Sequence, residues 1–185
     1  QKLAGFLCSN DALQCYDRIV HNMAILCLRR NGLHKNIAES MFATLQSATH
    51  NILTGFGLSE EGYGGISQAY EEQLPLMGVG QGNGAGPAIW ALISSILLYI
   101  MEEAHYGAFL KSAISSHICR LVGYAYVDDT DLVHTAQHPD IPIQSLFPQF
   151  QDAIDLWAGL LEATGGAIEP SESFIYVIDF KWSGH

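Results

Sequence analysis

Two adjacent aspartates, Asp128 and Asp129, stand between two runs of residues with high strand propensity. Residues 121–127 are mainly apolar, aromatic or β-branched, and Leu132 and Val133 follow the pair. This pattern predicts a β-hairpin with both carboxylates at its turn. A rigid hairpin holds carboxylate oxygens in place, and hard cations such as Mg²⁺ prefer such oxygens as ligands. Because Asp is also common in turns for local hydrogen-bonding reasons, a purely structural role for the pair is the alternative.

The segment Tyr-Val-Asp-Asp at residues 126–129 resembles the metal-binding box of reverse transcriptases. Two further stretches match that family in the expected order. In residues 10–19, Asp11 is followed five places later by the aromatic Tyr16, and residues 81–87 begin with Gln-Gly and end with Pro. The resemblance spans nearly the whole chain and is nearest to retrotransposon reverse transcriptases. It implies an α/β (α+β) polymerase palm, with a small, mostly antiparallel sheet backed by helices on one face.

This resemblance implies RNA-directed DNA polymerase activity, with dNTPs added to the 3′-hydroxyl of a primer on an RNA or DNA template. Such phosphoryl transfer uses two Mg²⁺ (or Mn²⁺) ions, so carboxylates must converge from separate strands. Asp11, Asp128 and Asp129 are the predicted catalytic and metal-binding residues. Residues 3–9 predict a strand that ends at Asp11, which brings this carboxylate opposite Asp128. The alternative for Asp11 is a simple cap at the strand end.

The resemblance also assigns three nucleotide-binding residues, Tyr16, Gln81 and Gly82. Tyr16 is similar to the aromatic that lies where a ribose 2′-hydroxyl would project, and a core aromatic is its alternative. Gln81 and Gly82 lie in a glycine-rich run, residues 78–87, whose small side chains would let a nucleotide sugar pack on the backbone. The run has neither the G-x-G-x-x-G pattern nor a Gly-Lys-Ser/Thr ending, so it is not a Rossmann or Walker A loop. A plain flexible loop is the alternative.

Two positions depart from the family pattern and support a second function. Leu13 and Glu172 stand where many relatives carry lysine near the nucleotide and the leaving pyrophosphate. Both changes remove a cation from the predicted site. The alternative is therefore a catalytically inactive palm remnant that serves as a structural or interaction domain.

Apolar spacing predicts the elements that position these residues. Helices are expected after Asp17, which would be an N-cap, and over residues 37–53, 88–105 and 147–163. The helix at 88–105 is apolar on most faces, which predicts deep burial. Residues 54–65 predict a long turn-rich loop and residues 139–142 a linker. Residues 166–176 resemble the fourth palm box of reverse transcriptases and the strand after it.

The composition fits one globular domain, with 185 residues, about half of them hydrophobic, and a net charge of −11. Nucleic-acid-binding domains are usually basic, so we expect the phosphate-binding fingers and thumb segments of a parent polyprotein to lie outside this chain. Residues 1–185 are thus predicted to be a single palm fragment. Four cysteines without paired spacing indicate reduced thiols and an intracellular location, in the cytoplasm or nucleus. No membrane partner is expected.

Overall fold

The computed structural model describes residues 2–63 and 77–180. The chain forms two compact units, one of residues Gln1–Cys15 and Trp90–His185, the other of residues Tyr16–Ile89. The prediction that residues 1–185 form a single palm domain stays a prediction.

The first unit contains a four-stranded antiparallel sheet, in the order β6-β7-β1-β8. Its strands are β1 (Gly5–Ala12), β6 (Gly123–Tyr126), β7 (Asp129–Thr135) and β8 (Ile168–Ile178). A separate hairpin is formed by β4 (Ala108–Lys111) and β5 (Ile118–Leu121). The predicted α+β class with small antiparallel sheets is confirmed.

Alternation of side chains gives the large sheet one face that packs on helix α4 (Phe147–Ala163). The ring of Phe6 in β1 stacks on Phe150 of α4 with centroids 4.6 Å apart. The sequence predicts a stripe of Phe150, Ile154, Trp157 and Leu161 on α4, of which Ile154 is half-buried and the other three are buried. The helix has the predicted bounds, because Gly165 follows it with a φ of +93° that favours glycine.

Helix α3 (Gly86–Glu103) is the predicted helix of residues 88–105, but it is not buried on most faces. Ile93, Leu97 and Met101 follow one buried stripe, whereas Tyr99 and Ile100 are exposed. With 18 residues, α3 is long and apolar enough to cross a membrane, but the core helix of a soluble protein passes the same test. The absence of a membrane partner therefore stays a prediction.

The second unit contains α1 (His21–Arg30), α2 (Lys35–Ser47) and the hairpin of β2 (His50–Thr54) and β3 (Gly57–Tyr63). Two predictions here are wrong. Residues 50–53 are strand, not the end of a helix, and most of the predicted loop at 54–65 is the β2–β3 hairpin, whose exposed side chains give no apolar alternation. Residues 64 and 65 of that predicted loop lie outside the described residues.

The buried His134 of β7 gives the first unit a pH-dependent stability. Burial lowers the pKa of His134, although a hydrogen bond with Gln149 acts in the opposite direction. The unfolded chain therefore takes up a proton near pH 6.5 while the folded protein resists it. The stability associated with neutral His134 is present above pH 6.5 and is lost as the pH falls through that value.

We predict that His134→Gln flattens the fall in unfolding free energy between pH 6.5 and 5. One proton accounts for at most about 1.4 kcal/mol per pH unit. Urea unfolding at several pH values measures this slope, and His138→Gln, on an exposed loop, is the matched control. Equal slopes for the wild type and His134→Gln would contradict the prediction.

Candidate active site

The predicted hairpin is present, with a two-residue turn of Val127 and Asp128 between β6 and β7. Tyr126 pairs with Asp129, so Asp129 is the first residue of β7. Val127 has a φ of +59°, a region in which a β-branched residue is strained. The sequence therefore adopts an uncommon backbone conformation next to Asp128, at a cost of roughly 1–3 kcal/mol.

Asp11 lies near the end of β1, directly opposite Asp129 of β7. The backbone N–H of the next residue, Ala12, donates to the carbonyl of Asp128 at 3.1 Å. The β1–β7 pairing therefore brings together all three predicted metal ligands. The direct partner of Asp11 across the strands is Asp129, rather than the expected Asp128.

The pKa of Asp11 is raised above its ordinary value by burial and by neighbouring acidic groups. Desolvation by burial is the largest cause, followed by the charges of Asp128 and Glu172, a side-chain hydrogen bond with Glu172, and the charge of Asp129. Glu172 of β8 thus joins the three aspartates. We call Asp11, Asp128, Asp129 and Glu172 the acidic cluster.

The acidic cluster is the candidate site for a divalent cation. In residues 2–63 and 77–180, no group of three or more His, Cys, Asp or Glu side chains is arranged so that it could hold a metal ion. The donor set nevertheless suits a hard divalent cation, since carboxylates are its preferred ligands and their mutual repulsion raises the pKa of Asp11. A cation would relieve that repulsion.

Asn10 fixes the backbone beside the acidic cluster, a role that no sequence pattern predicts. Its side-chain amide donates to the carbonyl of Thr130 at 2.8 Å, and its side-chain oxygen accepts from the indole N–H of Trp157 at 2.9 Å. Asn10 and Trp157 are only 2% and 1% exposed. These bonds join β1, β7 and α4 one residue away from Asp11 and Asp129.

The second unit contains the predicted nucleotide-binding residues. The carbonyl of Tyr16 accepts from the N–H of Val79 at 2.8 Å, and the Tyr16 ring lies against Gly86. Gly78 has a φ of +74°, and a Cβ there would come within 2.4 Å of the Tyr16 carbonyl oxygen. The turn at Tyr16 and the loop of residues 77–85 are therefore packed together.

Gln81 and Gly82 are exposed on this loop, and a Cβ at Gly82 would meet no atom within 4 Å. The N–H of Gln81 donates to the carboxylate of Asp17 at 3.0 Å. Asp17 is thus not the predicted N-cap. Helix α1 begins at His21 after the N-cap Val20, whose apolar side chain cannot make a cap bond, and Asp17 is engaged with the loop instead.

Comparisons with solved structures show a similar fold in telomerases. Telomerase from Candida albicans in complex with a fragment of telomeric RNA has a TM-score of 0.60 and 14% identity, over 93% of this chain and 27% of that one. The corresponding complex from Candida tropicalis gives 0.57 and 11%, over 95% and 26%. Apo telomerase from Candida tropicalis, truncated from the C-terminal domain, gives 0.58 and 13%, over 97% and 32%.

No family model matches the sequence, and no curated protein matches it at a significant level. The chain spans roughly a quarter to a third of the telomerase chains. At these identities the similarity shows the fold alone. The chain therefore shares its fold with a part of these telomerases.

We predict that Trp157→Phe destabilises the protein more than Trp90→Phe does. Both tryptophans are buried, but the indole N–H of Trp90 has no hydrogen-bond partner among the described residues. Only Trp157→Phe leaves the buried side-chain oxygen of Asn10 without its donor, which costs about 1–3 kcal/mol. Urea unfolding of the two variants measures the difference, and equal losses would argue against the Asn10 bridge.

A separate prediction concerns the charge of Asp11. Since its pKa is raised, the contribution of Asp11 to stability is present below its ordinary pKa of 3.8 and is lost as the pH rises through the raised value. Asp11→Asn should therefore stabilise the metal-free protein at pH 7. The expected gain is roughly 0.2–1 kcal/mol, the range for charged pairs directly opposite each other in neighbouring strands.

Thermal melting in EDTA at pH 7 and pH 3 tests this prediction. The gain should be present at pH 7 and vanish at pH 3, where the aspartate is neutral in both states. Asp140→Asn, on an exposed loop, is the matched control and should have no effect. A gain of the same size at both pH values would show that charge is not its origin.

Proposed function

We propose that this chain is the palm of an RNA-directed DNA polymerase that transfers nucleotides from dNTPs to a primer 3′-hydroxyl. The observation that carries the proposal is the β1–β7 pairing, which brings Asp11 beside Asp128 and Asp129 in a polymerase-like fold. Carboxylates from two neighbouring strands are what two-metal nucleotidyl transfer requires.

Asp11, Asp128 and Asp129 would hold two Mg²⁺ or Mn²⁺ ions. When bound, such ions lower the pKa of the attacking hydroxyl and neutralise charge on the triphosphate. The protein itself holds the carboxylates in position. The hairpin turn holds Asp128, the strand register holds Asp11 opposite Asp129, and Asn10 ties the two strands together beneath them.

Tyr16, Gln81 and Gly82 are proposed to bind the incoming dNTP. The packing of the Tyr16 turn against the loop of residues 77–85 supports a shared role, since the loop backbone and the ring are held in one unit. The open space around Gly82 leaves room for a ligand to approach the backbone. In this proposal the ring of Tyr16 excludes a ribose 2′-hydroxyl.

A template with primer is the proposed macromolecular substrate, and RNA is bound by two of the structurally similar telomerases. Because this chain spans at most about a third of those proteins, fingers and thumb segments of a parent polyprotein are proposed to complete the enzyme. The proposal of a retrotransposon origin rests only on the resemblance of residues 10–19, 81–87 and 126–129 to reverse transcriptases. A location in the cytoplasm or nucleus is likewise part of the proposal.

The proposal predicts that Mg²⁺ binds residues 1–185 through the acidic cluster. Millimolar Mg²⁺ or Mn²⁺ should raise the melting temperature, because a ligand bound only to the native state adds about 2.7 kcal/mol at one hundred times its Kd. Asp128→Asn should remove most of that rise, and Asp140→Asn should retain it. An undiminished rise in Asp128→Asn would show that the ions bind elsewhere.

Primer extension by the full-length protein that carries this chain tests the function itself. We expect Mg²⁺-dependent synthesis in the wild type and in Asp140→Asn, and a loss of at least 10²-fold in Asp128→Asn. Synthesis that survives Asp128→Asn would contradict the assignment of the active site.

A non-catalytic palm is the second candidate function, and one observation favours it. Glu172 hydrogen bonds to Asp11 and adds a fourth carboxylate where relatives carry lysine. Without a lysine at that position, the leaving pyrophosphate would have no cationic side chain there to bind. No extension by the wild type, together with no stabilisation by Mg²⁺, would decide for this alternative.

A last prediction concerns sugar selection in an active enzyme. Tyr16→Val should raise the use of ribonucleotides relative to deoxyribonucleotides by up to ~10²-fold, the discrimination that a few kcal/mol of steric exclusion provides. The ratio of kcat/KM values for the two substrates is the measurement. An unchanged ratio, with both substrates impaired equally, would make Tyr16 a core residue.

A further inference from the structure

β8 is a long strand at an open edge of the sheet. It pairs with β1 on one side, and the residues that the structure describes place no strand on its other side. The outward-facing backbone N–H and C=O groups of β8 can therefore bind another strand, except at Pro170, which has no N–H.

The side chains of this edge are apolar and uncovered on both faces. Five consecutive residues of β8 are each 47–56% exposed: Phe174, Ile175, Tyr176, Val177 and Ile178. The partners of Ile175 and Val177 in β1 are Cys8 and Phe6, which are 5% and 2% exposed. Helix α4 therefore covers the side chains of β1 but does not extend over β8.

An apolar pocket of about 400 Å³ lies at the C-terminal end of the same strand. Ile178 and Phe180 line it together with Leu7 of β1, Val133 of β7 and Leu121 of β5. All these residues belong to the first unit. A chain running along the edge of β8 would pass this pocket, which has room for an apolar side chain.

The charged residues of the edge strand itself are acidic. Glu169 and Glu172 lie in β8 and Asp179 follows it, so acidic groups flank the five apolar residues. Phosphate would be repelled here, whereas Lys and Arg side chains would be attracted.

We propose that the outer edge of β8 docks an extended basic and apolar segment of a partner polypeptide. The segment adds a fifth strand to the sheet, pairs its cations with the acidic flanks, and inserts one apolar side chain into the pocket beside Ile178 and Phe180. A second copy of this chain fits the edge less well. Pairing β8 with itself brings acidic flanks of one copy against acidic flanks of the other.

The test uses a fluorescein-labelled ten-residue peptide in which lysine alternates with valine. Fluorescence anisotropy should show saturable binding to residues 1–185 that weakens as salt is raised. The same peptide with glutamate in place of lysine should bind at least tenfold more weakly. Backbone amides of β8 should gain protection from hydrogen exchange on binding, and those of β6, at the opposite edge of the sheet, should not.

Val177→Lys should weaken peptide binding at least tenfold, because a lysine on an edge strand blocks pairing and repels the basic peptide. Tyr126→Lys adds the same charge at the opposite edge and should change binding less than twofold. Tyr176→Lys, on the other face of β8, is a second variant if Val177→Lys fails to fold, which melting curves will show.

Three results of the peptide experiments would each overturn the proposal. They are no binding of the lysine peptide, equal effects of Val177→Lys and Tyr126→Lys, and protection of β6 instead of β8. Self-association that Val177→Lys abolishes, without peptide binding, would also overturn it, in favour of a second copy as the occupant.

Discussion

The antiparallel pairing of β1 with β7 is the constraint on which the candidate site depends. It runs without a register shift from Gly5 and Thr135 to Asp11 and Asp129. Away from the acidic cluster, the pairing is stabilised by the burial of apolar side chains, since Phe6 and Leu132 point to the face covered by α4. At the acidic cluster, the pairing places the carboxylates of Asp11 and Asp129 on opposite strands, and such a pair of like charges is unfavourable. Burial along the strands therefore offsets repulsion at the carboxylates, and a slip of one residue would move Asp11 to the covered face.

Two local features keep that end of the pairing in place. Val127 adopts a left-handed conformation at the turn, and the buried amide of Asn10 bonds to the backbone of Thr130. Strain of this kind persists only where surrounding structure over-determines it. Trp157 supplies that surrounding structure, because its indole N–H holds Asn10 from the α4 side. Positioning of the carboxylates thus extends from a surface turn into the core.

The parts that were predicted correctly have strong local signals. The hairpin at Asp128 is encoded by strand propensity on both sides of a turn, and α4 by a regular apolar stripe and a glycine stop. The bridge from Asn10 to Trp157 spans 147 residues and has no periodic signature. The sequence around Asp17 predicts a helix cap, because a carboxylate shortly before a helix usually binds its first N–H groups. The same local pattern occurs when the carboxylate binds a distant loop, as Asp17 does. The β2–β3 hairpin was missed because its exposed strands lack alternation.

The charge of the described residues favours the binding of cations and opposes the binding of a nucleic-acid backbone. Much of the affinity for a duplex comes from Lys and Arg that release counterions from phosphates, and residues 121–180 contain neither. The acidic cluster suits divalent cations for the same reason that it repels a phosphate backbone. A polymerase that contains this chain would therefore bind template and primer mainly through other segments. That requirement fits telomerase neighbours three to four times as long as this chain, and it makes metal affinity, rather than nucleic-acid affinity, the property by which residues 1–185 are best judged.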